Sequence, residues 1–248
     1  MMFDRLLPGA LIATVITGLS LVCIAAAQTP SGAREPSPQR GAVIAAQGTP
    51  NGAPACAQCH AFNGVSDGSG AFPRIAGQSA YYLAKQLRDF TSGIRVNAIM
   101  TPVAGVLTAD DIADVAAYYA GIEAPFLPLR KADSALIKQG EELAKVGSAA
   151  NRIQACDNCH GSGGAGEPPA IPYLAGQYAS YIALEWRMWR RGFRKSSPGA
   201  MACLAENLND QEIAAAAEAW RGRLAEFPAD ASACGARAEA AHRAPRFG

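Results

Sequence analysis

Apolar residues recur along the chain at the spacing of amphipathic helices. In the segment 79–91, the positions that share one face at intervals of three and four are Tyr82, Leu83, Gln86, Leu87 and Phe90. A second helix is predicted from Thr108 and an equivalent one from Asn209 to Trp220, because Thr and Asn commonly cap helix N-termini. The expected buried face of the second helix consists of Ile112, Val115, Ala116 and Tyr119. No alternating apolar and polar run is long enough to indicate a sheet, so the pattern predicts an all-α fold.

The same landmarks occur twice, at a period of about 100 residues. The most distinctive landmark is Cys-x-x-Cys-His, which occupies residues 56–60 and again residues 156–160. The other matching segments are 73–78 with 172–177, 93–95 with 192–194, Met100 with Met201, and 107–121 with 208–222. Several landmarks in one order at one period indicate a tandem duplication, and each unit has an ordinary domain size.

The duplication divides the chain into six segments. The predicted boundaries are 1–27 for a signal peptide, 28–40 for a flexible leader, 41–122 for the first domain, 123–133 for a linker, 134–228 for the second domain and 229–248 for a tail. Pro125 and Pro128 mark the linker, because proline denies a continuing helix its hydrogen bonds. The tail has no counterpart in the first repeat.

Residues 1–27 have the pattern of a secretory signal. Arg5 precedes an apolar run, and the small residues Ala25, Ala26 and Ala27 stand where a signal peptidase would cleave. An uncleaved apolar segment would instead tether the protein to the membrane through its N-terminus. In both cases the folded part works outside the cytoplasm, and we expect a periplasmic protein.

The composition raises the question of what fills the core. Half of the residues are hydrophobic, but alanine accounts for much of that half and 25 residues are glycine. Only 17% are charged and the net charge is +1, which indicates neither a disordered, strongly charged chain nor the basic surplus of a nucleic-acid-binding protein. Large apolar cofactors would complete such a core, and small residues would let the backbone approach them closely.

Cys-x-x-Cys-His is the attachment signature of a c-type haem. Its two thiols, Cys56 and Cys59 or Cys156 and Cys159, would add to the two vinyl groups of the macrocycle. A zinc site or a redox-active dithiol are the alternatives. The two halves of a zinc site usually lie roughly 12–20 residues apart, and neither alternative requires a histidine after each pair. The sequence therefore predicts two covalently attached haem c groups.

The axial ligands of the two irons are predicted from residues near each motif. His60 and His160 complete the motifs and are expected to supply the proximal nitrogens. Met100 and Met201 occupy equivalent loop positions and are predicted as the sixth ligands, because a soft thioether favours ferrous iron. A methionine is otherwise an ordinary core residue, and Met188, in a helical stretch, fits that interpretation.

A ligand histidine usually donates its other ring N–H to a carbonyl, which fixes the orientation of the ring. The candidate acceptors are the carbonyls of Pro73 and Pro172, which follow the two motifs closely. Both prolines would also serve as turn residues.

Together these residues resemble the dihaem cytochromes c4 of bacterial periplasms. The resemblance covers about residues 41–222 and rests on both haem motifs, the Ala-Gly-Gln segments at 76–78 and 175–177, the Gly-x-Arg segments and both methionine loops. It implies two tandem cytochrome c domains, each wrapped around one covalent haem with His–Met iron, and haem edges that lie close together. Members of the family carry electrons from respiratory complexes toward terminal oxidases. Similar dihaem chains are electron-accepting subunits of dehydrogenases, including flavocytochrome sulfide dehydrogenases.

We therefore expect an electron carrier, not an enzyme. Its expected partners are redox proteins, namely a respiratory complex, a terminal oxidase or a dehydrogenase, and no nucleic acid is expected to bind. A dedicated dehydrogenase subunit is the alternative function. A dihaem peroxidase is disfavoured, because it needs an iron position that is open or releasable.

Two further features lie outside the haem motifs, a pair of cysteines and a basic segment, and each leads to a hypothesis. Cys203 and Cys234 could form a disulfide in an oxidising compartment. The basic segment 186–195 is either a solvated helix face with some arginines paired to haem propionates, or a docking patch for an acidic partner. Reversing the charges of Arg190 and Arg191 would distinguish these two roles.

Overall fold

The computed structural model describes residues 34–124 and 133–220. The signal peptide, residues 28–33 of the leader, most of the linker, the end of the second domain from residue 221, and the tail with Cys234 lie outside the described residues. Within the described ranges, no helix is both long enough and apolar enough to cross a membrane.

Five helices form the first repeat in the part of the chain that the structure describes. Their bounds are α1, Pro38–Gln47; α2, Ala57–His60; α3, Ala80–Thr91; α4, Met100–Gly105; and α5, Ala109–Ala120. Helix α1 packs along α5, and α3 packs against α4 and α5. Cys56, at the start of the short helix α2, packs against the core that α1 and α5 share. The first haem motif is therefore anchored to the main helix pair of its repeat.

The second repeat follows the same order. Its helices are α6, Ser134–Lys145; α7, Asp157–His160; α8, Ala179–Arg190; α9, Cys203–Asn207; and α10, Asp210–Ala219. Helix α6 packs along α10, and α8 also packs against α10. A π-helical turn, Pro198–Ala202, precedes α9. The described residues pair in isolated β-bridges only and form no strand, so the all-α prediction is confirmed.

The main helices begin where the sequence predicts them to begin. The hydroxyl of Thr108 accepts from the N–H of Asp111 at 3.1 Å, and the carboxylate of Asp111 accepts from the N–H of Thr108 at 2.9 Å. Asn209 and Glu212 form the same reciprocal pair at the start of α10. These capping boxes satisfy backbone donors within one turn, which is why residue types alone predict the starts of α5 and α10.

Glycine allows the paired helices of each repeat to cross at close range. A Cβ atom on Gly41 of α1 would lie 2.1 Å from the carbonyl oxygen of Asp114 in α5. A Cβ atom on Gly140 of α6 would lie 2.0 Å from the carbonyl oxygen of Ala215 in α10. Both distances are far shorter than van der Waals contact, so each crossing accepts glycine and no larger residue.

Residues 34–40 are not part of a flexible leader, contrary to the sequence prediction. Helix α1 already begins at Pro38. Arg34 and Arg40 both bind the carboxylate of Asp114 in α5, with N–O distances of 2.7 and 2.9 Å. The Asp114 side chain is only 1% exposed, and a buried anion requires such neutralising partners. This segment therefore belongs to the first domain.

The backbone after each motif histidine adopts a conformation suited to glycine. Gly161 has φ 72° and ψ 162°, and Ala61, its counterpart, has φ 57° and ψ 162°. A residue with a Cβ atom is strained there by about 1–3 kcal/mol. We expect Ala61→Gly to raise the free energy of unfolding by about 1 kcal/mol, because the added entropy of the unfolded chain offsets part of the relief. Guanidinium unfolding of the holoprotein measures the change.

The second repeat offers the matched control for this substitution. Gly161→Ala is expected to lower stability by about 1–3 kcal/mol, since it introduces the strain that Ala61 already carries. Its new Cβ atom would also lie 3.1 Å from the carbonyl oxygen of Gly166. An Ala61→Gly protein no more stable than the parent would contradict the strain assigned to Ala61.

Candidate functional site

Each Cys-x-x-Cys-His motif forms a single helical turn. In α2, the backbone N–H of His60 donates to the carbonyl of Cys56 at 2.9 Å. In α7, the N–H of His160 donates to the carbonyl of Cys156, also at 2.9 Å. Residues three apart share one side of a helix. The two cysteines of each motif are therefore placed to bind the same planar group.

The two motif histidines are oriented in the same way. Nδ1 of His60 lies 3.2 Å from the carbonyl oxygen of Pro73, and Nδ1 of His160 lies 2.9 Å from that of Pro172. A carbonyl can only accept, so Nδ1 carries the proton and Nε2 keeps its lone pair. Burial lowers the pKa of both histidines, and the hydrogen bonds to the prolines oppose this only in part. Each ring is therefore neutral near pH 7, with Nε2 available to a metal.

Both motifs open onto one continuous cavity of about 450 Å³. Its wall includes all four motif cysteines, both motif histidines, Met100 and Met201. The apolar side chains that line it include Leu83, Val115, Tyr119, Ile182, Trp186 and Trp220. Two thiols, one imidazole and one thioether from each repeat form the donor set of a covalent haem with His–Met iron. The residues present therefore fit two haem groups.

The two methionines reach the cavity from different local structures. Met100 is the first residue of α4, and its N–H donates to Oδ1 of Asn97 at 2.9 Å. Met201 lies in the π-helical turn, and its N–H donates to the carbonyl of Ser197 at 3.1 Å. Met188 lies on α8 and is not among the described residues that line the cavity.

Known proteins share this arrangement. Residues 39–121 match the family described as Cytochrome c, and residues 142–218 match the family described as Cytochrome C oxidase, cbb3-type, subunit III. The cytochrome c4 of Thiocapsa roseopersicina is 39% identical to the chain, over 75% of this chain and 95% of that protein. The chain belongs to the dihaem cytochrome c4 family. The two covalently bound haem c groups and the electron-carrier function predicted from the sequence are thereby confirmed.

Two solved structures and one further relative extend this likeness. Reduced recombinant cytochrome c4 from Pseudomonas stutzeri superposes with a TM-score of 0.66 at 30% identity, over 75% of this chain and 98% of that one. The thiosulfate dehydrogenase TsdBA from Marichromatium purpuratum gives a TM-score of 0.68 at 36% identity, but only 39% of that chain is covered, against 74% of this one. The thiosulfate dehydrogenase electron acceptor of Stutzerimonas stutzeri (strain A1501) is 38% identical over 72% of this chain and 83% of that protein.

The two repeats of the chain are joined by reciprocal glutamine contacts. The side chain of Gln177 accepts from the N–H of Arg74 and donates to its carbonyl, both at 2.9 Å. Gln78 makes the equivalent pair of contacts with Tyr173, at 3.4 and 3.3 Å. Arg74 and Tyr173 each follow the proline that holds a motif histidine. Each glutamine therefore links one repeat to the histidine-supporting loop of the other.

A buried charge cluster lies at the same junction of the cytochrome c4 repeats. Glu185 accepts from Arg95 at 2.7 Å and from Arg194 at 2.5 Å. Gln86, which is equivalent to Glu185, accepts from both arginines at 2.9 Å. All four side chains also line the cavity. The two arginines come from the Gly-x-Arg segments that recur in both repeats, and their contacts with Gln86 and Glu185 leave no trace in the sequence pattern.

The basic segment 186–195 is only partly a free cationic surface. Arg194 belongs to the buried cluster. Arg190 pairs with Asp210 at 2.8 Å and donates to the carbonyls of Ala205 in α9 and of Leu208 directly after it. Reversing Arg190 would therefore disturb packing as well as docking. Arg187, Arg190, Arg191 and Lys195 are all exposed, and Arg190 is the one held by the contacts with Asp210 and α9.

Cys203 is exposed at the start of α9. Its predicted partner Cys234 lies outside the described residues, so the disulfide stays a prediction.

Proposed function

We propose that this protein carries single electrons in the periplasm, from a respiratory donor to a terminal oxidase or another acceptor. The observation that carries the proposal is the cavity into which each repeat brings two cysteines, a histidine and a methionine. A metal centre with both axial positions filled by protein has no open position for a substrate, which suits electron transfer.

In this proposal the cysteines form the covalent attachments. Cys56 and Cys59 bind the first haem, and Cys156 and Cys159 bind the second. Because both cysteines of a motif project from one helical turn, two bonds fix the plane of the macrocycle relative to the helix. Rigid attachment keeps reorganisation small when an electron arrives or leaves.

The axial ligands in this proposal are His60 with Met100 and His160 with Met201. When bound, each haem supplies a one-electron ferric–ferrous couple. The hydrogen bonds from the histidines to the proline carbonyls hold Nε2 in a constant direction. The chain thereby keeps both axial contacts through repeated cycles of oxidation and reduction.

A dehydrogenase is the second candidate for the electron donor. The relative from Stutzerimonas stutzeri (strain A1501) is named an electron acceptor of thiosulfate dehydrogenase, and a part of TsdBA shares this fold. Both observations favour a role as acceptor for an enzyme that oxidises a small sulfur compound. The two candidates use the same haem chemistry and differ in which protein docks.

Reduction of the oxidised holoprotein by two donors separates the candidates. The first mixture contains thiosulfate dehydrogenase and thiosulfate, with thiosulfate alone as the control. The second contains membranes that oxidise quinol, with membranes lacking quinol as the control. Haem absorbance follows both reactions. Fast reduction by the membranes supports the respiratory carrier, whereas reduction by the dehydrogenase alone supports the dedicated acceptor.

A single result would contradict both candidates. If the reduced protein bound carbon monoxide rapidly, at least one iron would have an open or easily released position. Such a protein would be suited to ligand chemistry, and the assignment of Met100 and Met201 would fail with it.

A further inference from the structure

The charge cluster between the repeats is symmetric in chemical type at every position except one. Its equivalent pairs are Tyr82 with Tyr181, Gln86 with Glu185, Phe90 with Trp189, and Arg95 with Arg194. The guanidinium of Arg95 lies 4.5 Å from the ring centre of Phe90, and that of Arg194 lies 3.9 Å from the ring of Trp189. Aromatic matches aromatic and arginine matches arginine. Only the pair of Gln86 and Glu185 differs in charge.

The contacts of the cluster follow the same symmetry. Arg95 donates to the hydroxyl of Tyr181 at 2.8 Å, and Arg194 donates to the hydroxyl of Tyr82 at 2.9 Å. Each arginine therefore reaches across to the opposite repeat. A glutamine in place of Glu185 would retain an acceptor oxygen for these arginines. Glu185 gives each arginine its own carboxylate oxygen, whereas Gln86 accepts from both arginines with a single uncharged oxygen.

Glu185 is charged at neutral pH, although it is buried. Burial raises its pKa, but Arg95 and Arg194 lower it by more, so the pKa stays below the ordinary value for glutamate. Two positive charges thus face one negative charge, and the negative charge belongs to the second repeat. The side chain is 10% exposed, so water screens its field only weakly.

Glu185 lies on the wall of the continuous cavity and belongs to helix α8 of the second repeat. It stands on α8 between Ile182 and Trp186, which pack in the core cluster that also contacts Met201. Gln86 has the corresponding place on α3 in the first repeat. The helix that carries the carboxylate therefore belongs to the core around the second site, while its two oxygens bind one arginine from each repeat.

We infer that the buried carboxylate of Glu185 lowers the potential of the second haem more than that of the first. A ferric haem carries one more positive charge than a ferrous haem, so a buried carboxylate beside it favours the ferric state. Duplication placed similar clusters in both repeats, and the exchange between Gln86 and Glu185 is the difference in charge among the paired positions of this cluster. The inference rests on the haem placement in the proposed function.

Glu185→Gln tests the inference by making the cluster symmetric. We expect the equilibrium constant for reduction of the second haem to rise about tenfold, which corresponds to about 59 mV for one electron, and that of the first haem to rise less. A mediated redox titration of the holoprotein measures both potentials, and NMR signals of the haem methyl groups assign each value to its haem. Unchanged potentials would overturn the inference.

The double variant Gln86→Glu/Glu185→Gln is the sharper test. It keeps the total charge and the amino-acid composition of the chain, but it moves the carboxylate from the second repeat to the first. We expect the potential of the first haem to fall and that of the second to rise. A purely structural effect would not produce opposite shifts. If both potentials moved in the same direction or stayed constant, the charge of Glu185 would not distinguish the haems.

Gln86→Glu alone is the second single variant, and it keeps the test usable if Glu185→Gln folds poorly. It adds a carboxylate beside the first site, and we expect the first haem potential to fall more than the second. Covalent haem content and the His–Met absorption band verify the folding of every variant. Chemical mediators deliver the electrons, so the measured potentials do not depend on the donor proteins. If a proposed donor failed to reduce the protein, the inference about Glu185 would still stand.

Discussion

Replacing Met201 with alanine is expected to lower the potential of the second haem by a few tenths of a volt, within the range of about 0.8 V that axial ligation spans. The thioether stabilises ferrous iron, so its loss favours the ferric state. The reduced variant should also bind carbon monoxide, because one axial position becomes open. Redox titration and carbon monoxide difference spectra measure the two effects. Met100→Ala should do the same at the first haem.

Met188→Ala is the matched control for both substitutions. Met188 lies on α8 and is not among the described residues that line the cavity, so its truncation should leave both potentials and the carbon monoxide response unchanged. If Met201→Ala behaved like Met188→Ala, the thioether of Met201 would not be an iron ligand. A change at the wrong haem would mean that the ligands are assigned to the wrong repeats.

Gly140→Ala is expected to lower the free energy of unfolding of the second domain by about 3 kcal/mol. Gly140 lies in the middle of α6, where alanine would ordinarily improve helix stability by about 1 kcal/mol. Its new Cβ atom, however, would lie 2.0 Å from the carbonyl oxygen of Ala215. Helices α6 and α10 would have to separate, and their packed contacts would weaken. Guanidinium unfolding of the holoprotein measures the loss.

Gly105→Ala controls for the substitution itself. Gly105 is the last residue of α4, and a Cβ atom there would meet no atom within 4 Å. Its replacement should be neutral or slightly stabilising. A Gly140→Ala protein as stable as the Gly105→Ala protein would show that the two helices adjust without cost, and that the close crossing is not required.

The haem sites were predictable from the sequence because each attachment motif consists of residues that are neighbours in the chain. Five consecutive residues carry two attachment thiols and a ligand, and one helical turn suffices to orient them. The capping boxes at Thr108 and Asn209 are equally local. The duplication then strengthened each inference, because Met100 and Met201 stood out by recurring at equivalent positions. That signal concerns position, and iron ligation by these residues stays a prediction.

The start of the first domain shows where local signals were not enough. Pro38 has the position of a first helical residue, which the sequence alone could have indicated. The neutralisation of Asp114 by Arg34 and Arg40 could not have been predicted in the same way. The partners lie 80 and 74 residues from Asp114, and polar residues near a chain end usually indicate a leader.

The amino-acid sequence by itself determined that this protein has two helical domains that each bind a covalent haem, because the attachment chemistry and the helix caps need only neighbouring residues. The tertiary structure alone decided that Gly140 must remain glycine and that Gln86 and Glu185 share two arginines. The four residues of that cluster span about 100 positions. A contact between residues so far apart leaves no local pattern, since it exists only after both repeats have folded and met.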